Sequence, residues 1–146
     1  MSFRTGLRII VGSFSHATED EEKVKKAMIN LISFDPGRPT IKKLLGHWRN
    51  PIINIEYELH GKDAELFLRN LSSKLKEIDK EFLINILDER TDEKGRVHLR
   101  FDKQKAFLGE ISLSDFDDII KVVISFSGNK KELKNIIKNL LYEKVH

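Results

Sequence analysis

Two short segments of the chain hold residue types that commonly contact nucleic acid. The first is the stretch Gly46 to Pro51 (GHWRNP), which contains the only tryptophan of the sequence. Stacking of a tryptophan ring on a base contributes about 1–3 kcal/mol, and a neighbouring arginine adds a cation–π or phosphate contact. Pro51 keeps the backbone before it extended. The stretch is therefore a candidate binding loop, and a core or rim position for Trp48 is the alternative.

The second segment runs from Arg96 to Lys105 and alternates apolar with basic residues. The apolar residues are Val97, Leu99 and Phe101, and the basic residues are Arg96, His98 and Arg100. If the apolar set faces the core, the basic set shares the opposite face of a strand. We expect Lys103, Gln104 and Lys105 to extend this row through a turn, with phosphates on the cations and a base edge or ribose hydroxyl on Gln104. The alternative is cross-strand pairing of the row with Glu56 and Glu58.

The charges are segregated along the chain. There are 26 Lys and Arg against 23 Asp and Glu, a net charge of +3. Residues 38–49 contain Lys42 and Lys43 but no acid, and residues 94–105 contain only one, Asp102. This distribution is typical of an anion-binding face, although charge runs are also common on solvated surfaces. We expect the two basic segments to form one patch. The candidate nucleic-acid-binding residues are Lys42, Lys43, His47, Trp48, Arg49, Arg96, His98, Arg100, Lys103, Gln104 and Lys105.

The motifs of common enzyme classes are missing from the sequence. It has no cysteine, no G-x-S-x-G nucleophile motif and no glycine-rich phosphate loop. Its histidines are scattered, which favours structural or surface roles over metal binding. Asp115, Asp117 and Asp118 are the residues a metal-dependent nuclease would use, but they also suit an acidic connection before a strand. We therefore expect no catalytic residue, no bound metal and no cofactor.

These segments must be positioned by a mixed fold. Alternating apolar residues predict strands at about 6–14, 53–59, 97–101, 107–111 and 120–126. Helical spacing predicts helices that begin with a Thr18–Glu21 capping box, near Ala64, at Asp79 and after Gly128. Residues 102–105 are expected to form a hairpin connection. The order is β-α-β-α-α-β-β-β-α, which favours an α+β class with a largely antiparallel sheet and helices packed on one face.

Length and hydropathy suggest a single domain. A chain of 146 residues fits one domain, 1–146, and folding would bury about two-thirds of its extended surface. No apolar run reaches the roughly 18 residues of a membrane span, and the N-terminus does not resemble a signal peptide. We expect a soluble, cytoplasmic protein with no membrane partner.

Three short motifs in this order resemble an archaeal family of small predicted RNA-binding proteins. They are His16 to Asp20 (HATED), Gly46 to Pro51 (GHWRNP) and Arg100 to Gln104 (RFDKQ). Members of this family have been described as proposed exosome-associated subunits. The resemblance implies a fold like that of the large-subunit ribosomal protein that binds 5S rRNA, RNA as the ligand, and no catalytic activity. In the family a glycine commonly follows the aromatic residue, where this chain has Arg49.

The leading hypothesis is a non-catalytic RNA-binding protein that acts in RNA processing or ribosome-related assembly. A basic sheet face and the aromatic and basic loop would provide the contacts. Besides RNA, the expected partners are exosome or ribosome-assembly components and a second copy of the chain. The first alternative is a protein-interaction subunit that docks an acidic partner. The second, less favoured, is the metal-dependent nuclease.

Overall fold

The computed structural model describes residues 6–142, apart from the side chains of His47 and Lys130. The strands are β1 (Leu7–His16), β2 (Thr40–Leu45), β3 (Pro51–His60), β4 (Val97–Asp102) and β5 (Ile119–Phe126). The helices are α1 (Glu21–Ile32), α2 (Lys62–Lys74), α3 (Glu77–Ile86), α4 (Lys103–Phe107) and α5 (Lys130–Tyr142). A single 3₁₀ turn, His47–Arg49, lies between β2 and β3. No helix in this part of the chain is long and apolar enough to cross a membrane.

The strands form one sheet in the order β2-β3-β1-β5-β4, and every named pair is antiparallel. Along β1, Leu7, Ile9 and Val11 are fully buried, whereas Arg8 between them is exposed. Apolar residues of α1, α2 and α5 complete the core on that side of the sheet. The other side has no helix over it within residues 6–142. The α+β class, with an antiparallel sheet and helices on one face, is confirmed.

The element order differs from the predicted one at two places. Residues 103–107 form helix α4, where we expected a turn into another strand. The Asp102 carboxylate accepts the Lys105 N–H at 2.9 Å and so caps this helix. Strand β2 was not predicted, because all six of its residues are exposed and show no alternation of apolar and polar side chains. Among the strands that the structure describes, it is an edge strand that pairs only with β3.

Two helices also begin at other residues than predicted. The N-cap of α1 is Asp20, whose carboxylate accepts the Glu22 N–H at 2.9 Å. The Thr18–Glu21 capping box is therefore wrong. Helix α3 begins at Glu77, before the predicted start at Asp79. The new start changes the first turn of each helix. Helix α1 still buries its apolar stripe, and within α3 the buried residue is Leu83.

Candidate nucleic-acid interface

The helix-free side of the sheet, which we call the open face, carries polar side chains from every strand. Pairing in the sheet places Lys42 opposite Asn54 and Asn54 opposite Phe14. On the other half of the sheet, Arg100 lies opposite Lys121. Since directly paired residues project to the same side of a sheet, Lys42 and Arg100 share the open face. Lys43 is paired with Ile53 and projects to the helix side.

The two basic segments do not adjoin. Strands β2 and β4 are the two edges of the sheet, with three strands between them. At about 4.8 Å per strand, the segments lie roughly 19 Å apart. Lys121, which the sequence analysis left out of the site, projects from β5 between them. The expectation of one patch built from these segments alone is therefore wrong.

Two of the three basic residues of the predicted row, Arg96 before β4 and His98 within it, are held by one carboxylate. Asp92 Oδ2 lies 2.8 Å from Arg96 Nε and 2.8 Å from His98 Nε2. The hydrogen bond from His98, helped by contacts with Arg96, holds the pKa of Asp92 far below its usual value. Pairing of the row with Glu56 and Glu58 is wrong, because β4 and β3 are not neighbours in the sheet.

Arg100, in β4, is the third basic residue of the predicted row and keeps a donor without a partner within residues 6–142. Its Nη2 donates to the backbone carbonyl of Phe116 at 2.5 Å. Its Nε is buried and has no hydrogen-bond partner among the described residues. A buried donor without an acceptor is costly, by about 1–3 kcal/mol. Arg100 is thus the member of the predicted row that is best placed to take a ligand acceptor.

Lys103 does not extend the cationic row. It begins α4 and is 3% exposed, at one end of the depression described below. Its ammonium lies 3.0 Å from Glu19 Oε2 and 2.8 Å from Asp118 Oδ1, and it donates to the Phe14 carbonyl at 2.8 Å. Its charge is neutralised by these two carboxylates, so Lys103 is less available to an anion than the exposed lysines, and its RNA contact stays a prediction.

Gln104 and Lys105, the next two residues of α4, differ in whether their side chains are already engaged. Gln104 Nε2 donates to Asp118 Oδ2 at 2.9 Å, so its amide is already engaged. Partial burial raises the pKa of Asp118, but hydrogen bonds from Lys103 and Gln104 outweigh that effect and hold it below its usual value. Lys105 is exposed on the helix surface. Of these residues, only Lys105 presents a charged group to solvent.

The loop between β2 and β3 exposes its aromatic residue. The Trp48 side chain is 85% exposed, which excludes a core position. The loop is closed by hydrogen bonds from Gly46 N to the Asn50 carbonyl at 2.8 Å and from Arg49 N to the Gly46 carbonyl at 3.0 Å. Trp48 and Arg49 have positive φ angles of 65° and 61°. The predicted His47 side chain lies outside the described residues.

Replacing Arg49 with glycine is expected to stabilise the fold. A left-handed backbone costs an L-residue about 1–2 kcal/mol, and glycine largely avoids this cost. We expect Arg49→Gly to raise the free energy of unfolding by about 1 kcal/mol, because part of the gain is lost to the greater entropy of the unfolded chain. Chemical denaturation measures this change. A lower stability for Arg49→Gly would show that the Arg49 side chain contributes more than its backbone costs.

A depression of about 400 Å³ lies on the open face above Gly12. Its walls include the Phe14 ring, the side chains of Asn54 and Glu56 from β3, and Arg100 and Lys121 from the far strands. Phe14 is 49% exposed although it sits in the central strand. In the sequence, only the alternation along β1 could have identified Phe14 as exposed, because it places Phe14 on the face opposite Leu7, Ile9 and Val11. Lys121 could not be placed without knowing that β5 pairs with β1.

The three aspartates of the nuclease alternative do not converge. Asp115 Oδ1 accepts from Arg90 Nη2 at 2.8 Å, and Asp118 is bound to Lys103. Asp117 lies in the wall of the depression. Within residues 6–142, no group of three His, Asp or Glu side chains is placed to hold a metal ion. These carboxylates therefore act separately, two of them in ion pairs.

The chain was compared with known families, proteins and structures. A family model described as RNA binding matches residues 8–126. An RNA-binding protein from Pyrococcus abyssi is 33% identical over 135 residues, which cover 89% of this chain and 88% of that protein. An uncharacterised protein from Methanocaldococcus jannaschii is 35% identical over 145 residues, covering 91% of this chain and 96% of that protein.

Solved structures show the same fold. A DUF54 protein from Archaeglobus fulgidus has a TM-score of 0.78 and 33% identity, covering 91% of this chain and 97% of that one. A DUF54 protein from Sulfolobus solfataricus has a TM-score of 0.75 and 28% identity, covering 92% and 96%. The arrangement of strands that forms the open face is therefore shared with crystal structures of archaeal proteins.

Proposed function

We propose that this chain, which belongs to the RNA-binding family matched by residues 8–126, binds RNA with the open face of its sheet. The observation that carries this proposal is the grouping of Lys42, Arg100 and Lys121 around the half-exposed Phe14 ring. The name of the P. abyssi relative supports RNA as the ligand. The fold supplies cations and an aromatic ring on one accessible surface.

The chemistry of this surface suits a phosphodiester chain with accessible bases. Lysine and arginine contact phosphate oxygens, and these contacts position the protein without reading the sequence. The side chains of Lys42 and Lys121 make no ion pair within residues 6–142. Phe14 offers a face on which a base can stack. At the β2 edge, the exposed Trp48 and Arg49 offer a second stacking position beside a cation.

RNA binding is expected to weaken steeply with salt, and this dependence tests the proposal. Contacts by Lys42, Arg49, Arg100 and Lys121 predict a slope of log K against log salt of about −3 to −4. In the double variant Lys42→Gln/Lys121→Gln the slope should become shallower by about 2, since each lost phosphate contact removes about 1. Fluorescence anisotropy with a labelled RNA at several salt concentrations measures both slopes.

A matched control removes the same charge elsewhere. Lys62 and Lys131 are exposed on helices of the opposite layer. The double variant Lys62→Gln/Lys131→Gln should keep the wild-type slope and affinity within about twofold. Equal losses in the two double variants would contradict binding by the open face. A flat salt response in the wild type would instead favour the alternative of docking an acidic protein.

The proposed setting is RNA processing or ribosome-related assembly, with exosome or ribosome-assembly components as partners. Affinity capture from an archaeal extract, with and without ribonuclease, tests this setting. Recovery of exosome subunits only before ribonuclease treatment would show association through RNA. Recovery after treatment would show direct contact, and no recovery would contradict the exosome partnership while leaving RNA binding intact.

A further inference from the structure

We propose that the depression above Gly12 binds one unpaired nucleotide of the RNA. Its base would stack on Phe14, and its phosphate would lie at Arg100 and Lys121. This inference rests on the proposed function and adds to it, because binding by surface cations alone needs no cavity. It predicts that the protein prefers single-stranded or bulged RNA to a continuous duplex.

The depression exists because β1 has a glycine at its centre. Gly12 pairs with Glu56 on one side and with Lys121 on the other. The Cα atoms of Glu56 and Lys121 are therefore two strand spacings apart, about 10 Å. The two opposite charges face each other across a gap and do not pair. A side chain at position 12 would project into this gap. The atom nearest to an added Cβ would be Glu56 Cγ, at 3.5 Å.

Several polar groups around the depression lack partners in the described part of the chain, whereas charged groups farther along the same strands are paired. Farther along the same strands, Glu58 Oε1 lies 2.6 Å from Arg8 Nε and 2.9 Å from His60 Nε2. By contrast, the Asn54, Glu56 and Lys121 side chains make no hydrogen bond or ion pair within residues 6–142. The buried Arg100 Nε in the same wall is also unpaired there. Donors and acceptors are thus left available around the depression.

The arrangement of these groups fits a nucleotide. Arg100 and Lys121 lie on the β4 and β5 side, with Asp117 beside them, and the acceptors Glu56 and Asn54 lie on the β3 side. A volume of about 400 Å³ is within the range of small-ligand sites. Bases in a continuous duplex are stacked and paired, so only an unpaired base can enter and present its Watson–Crick edge. The Glu56 carboxylate accepts N–H donors, which favours guanine, whose edge carries two adjacent ones.

Filling the depression tests this inference without removing a charge. Gly12 does not have a positive φ angle, and an added Cβ makes only ordinary contacts, so Gly12→Val suits the strand. The control is Ser125→Val, which places the same side chain on the open face about 13 Å along β5 from Lys121. Each variant is titrated with a uridine-rich single strand containing one guanine and with a blunt duplex. Gly12→Ala is the fallback if Gly12→Val does not fold.

For the wild type we expect tighter binding to the single strand than to the duplex. Gly12→Val should lower the single-strand affinity at least about fivefold and leave the duplex affinity unchanged. Ser125→Val should behave as the wild type. If Gly12→Val keeps its single-strand affinity, the nucleotide site is wrong and RNA binding by the open face stands. If the wild type binds neither RNA, both the site and the proposed function are overturned.

A second measurement uses the folded wild type alone. Guanosine 5′-monophosphate at millimolar concentration should shift the backbone amide NMR signals of Gly12, Phe14 and Lys121, and uridine 5′-monophosphate should shift them less. Shifts confined to other residues, or none, would overturn the nucleotide site. Equal shifts with both nucleotides would overturn the role of Glu56 in selecting guanine.

Discussion

Lys103→Met is expected to lower the free energy of unfolding by about 2–3 kcal/mol, less than the typical cost of breaking a fully buried ion pair, because the side chains of Glu19 and Asp118 are 23% and 47% exposed. The wild-type ammonium is enclosed and contacts Glu19, Asp118 and the Phe14 carbonyl. Methionine has a similar volume but removes the ammonium from Glu19, Asp118 and the Phe14 carbonyl, so both ion pairs are lost. Thermal and urea unfolding measure the loss. It corresponds to about 5–10 °C in Tm for a chain of this size.

The neighbouring Lys105 supplies the control. Lys105 is exposed on the same short helix, so Lys105→Met should change stability by less than about 0.5 kcal/mol. A similarly small change in Lys103→Met would contradict the assigned role of the buried ion pair.

The stability difference between wild type and Lys103→Met should shrink in acid. The pKa of Asp118 is held below its usual value in the folded protein, so its ion pair contributes stability above the unfolded pKa of about 3.9. That contribution is lost as the pH falls from the unfolded pKa toward the lowered folded one. The variant has no such pair to lose. Urea unfolding between pH 7 and pH 3 measures the convergence, and a constant difference would contradict it.

Phe14→Leu is expected to weaken RNA binding by about 1–3 kcal/mol, the usual range for one base stacked on an aromatic ring. Leucine preserves apolar contacts with the sheet but has no aromatic face. Because Phe14 is 49% exposed, stability should change by less than about 1 kcal/mol. Titration of the variant with single-stranded RNA, beside its melting curve, separates the two effects.

Two further aromatic variants complete this experiment. Phe82 is also 49% exposed but lies on α3 and is not in the wall of the depression, so Phe82→Leu should bind RNA like the wild type. Trp48→Ala tests the loop at the β2 edge. If Trp48 stacks on a base, binding weakens by about 1–3 kcal/mol, and its 85% exposure predicts little loss of stability. Equal RNA affinity for Phe14→Leu and Phe82→Leu would remove Phe14 from the interface.

The fold was predictable where one face of an element is buried. In β3, Ile55, Tyr57 and Leu59 alternate with polar residues and face the core as expected. An edge strand such as β2 has no buried face, so its sequence lacks the alternation. Helix α4 is too short to show a helical period, and its start depends on the Asp102 cap. These two elements were accordingly missed or misassigned.

The site was less predictable, because strand pairing decides which charges meet. The sequence identifies Lys42 and Arg100 as basic, but only the strand order places both on one face. In the sequence, Lys103 looks like the lysines near it. In the fold it is bound by Glu19 and by the Phe14 carbonyl, which lie 84 and 89 positions earlier in the chain. Gly12 carries no side-chain signal at all. Its importance follows from the two strands that flank it.

The unpaired edge of β2 also bears on solubility. Its outer backbone groups have no strand partner within residues 6–142, and Ile41, Leu44 and Leu45 are exposed beside them. Such an edge can template aggregation, and lysines on an edge strand oppose it, since a second chain would bring like charges together. Lys42 and Lys43, one on each side of the edge, therefore act as gatekeepers against self-association. A lysine at position 42 would therefore be favoured both because it binds the ligand and because it keeps the protein soluble.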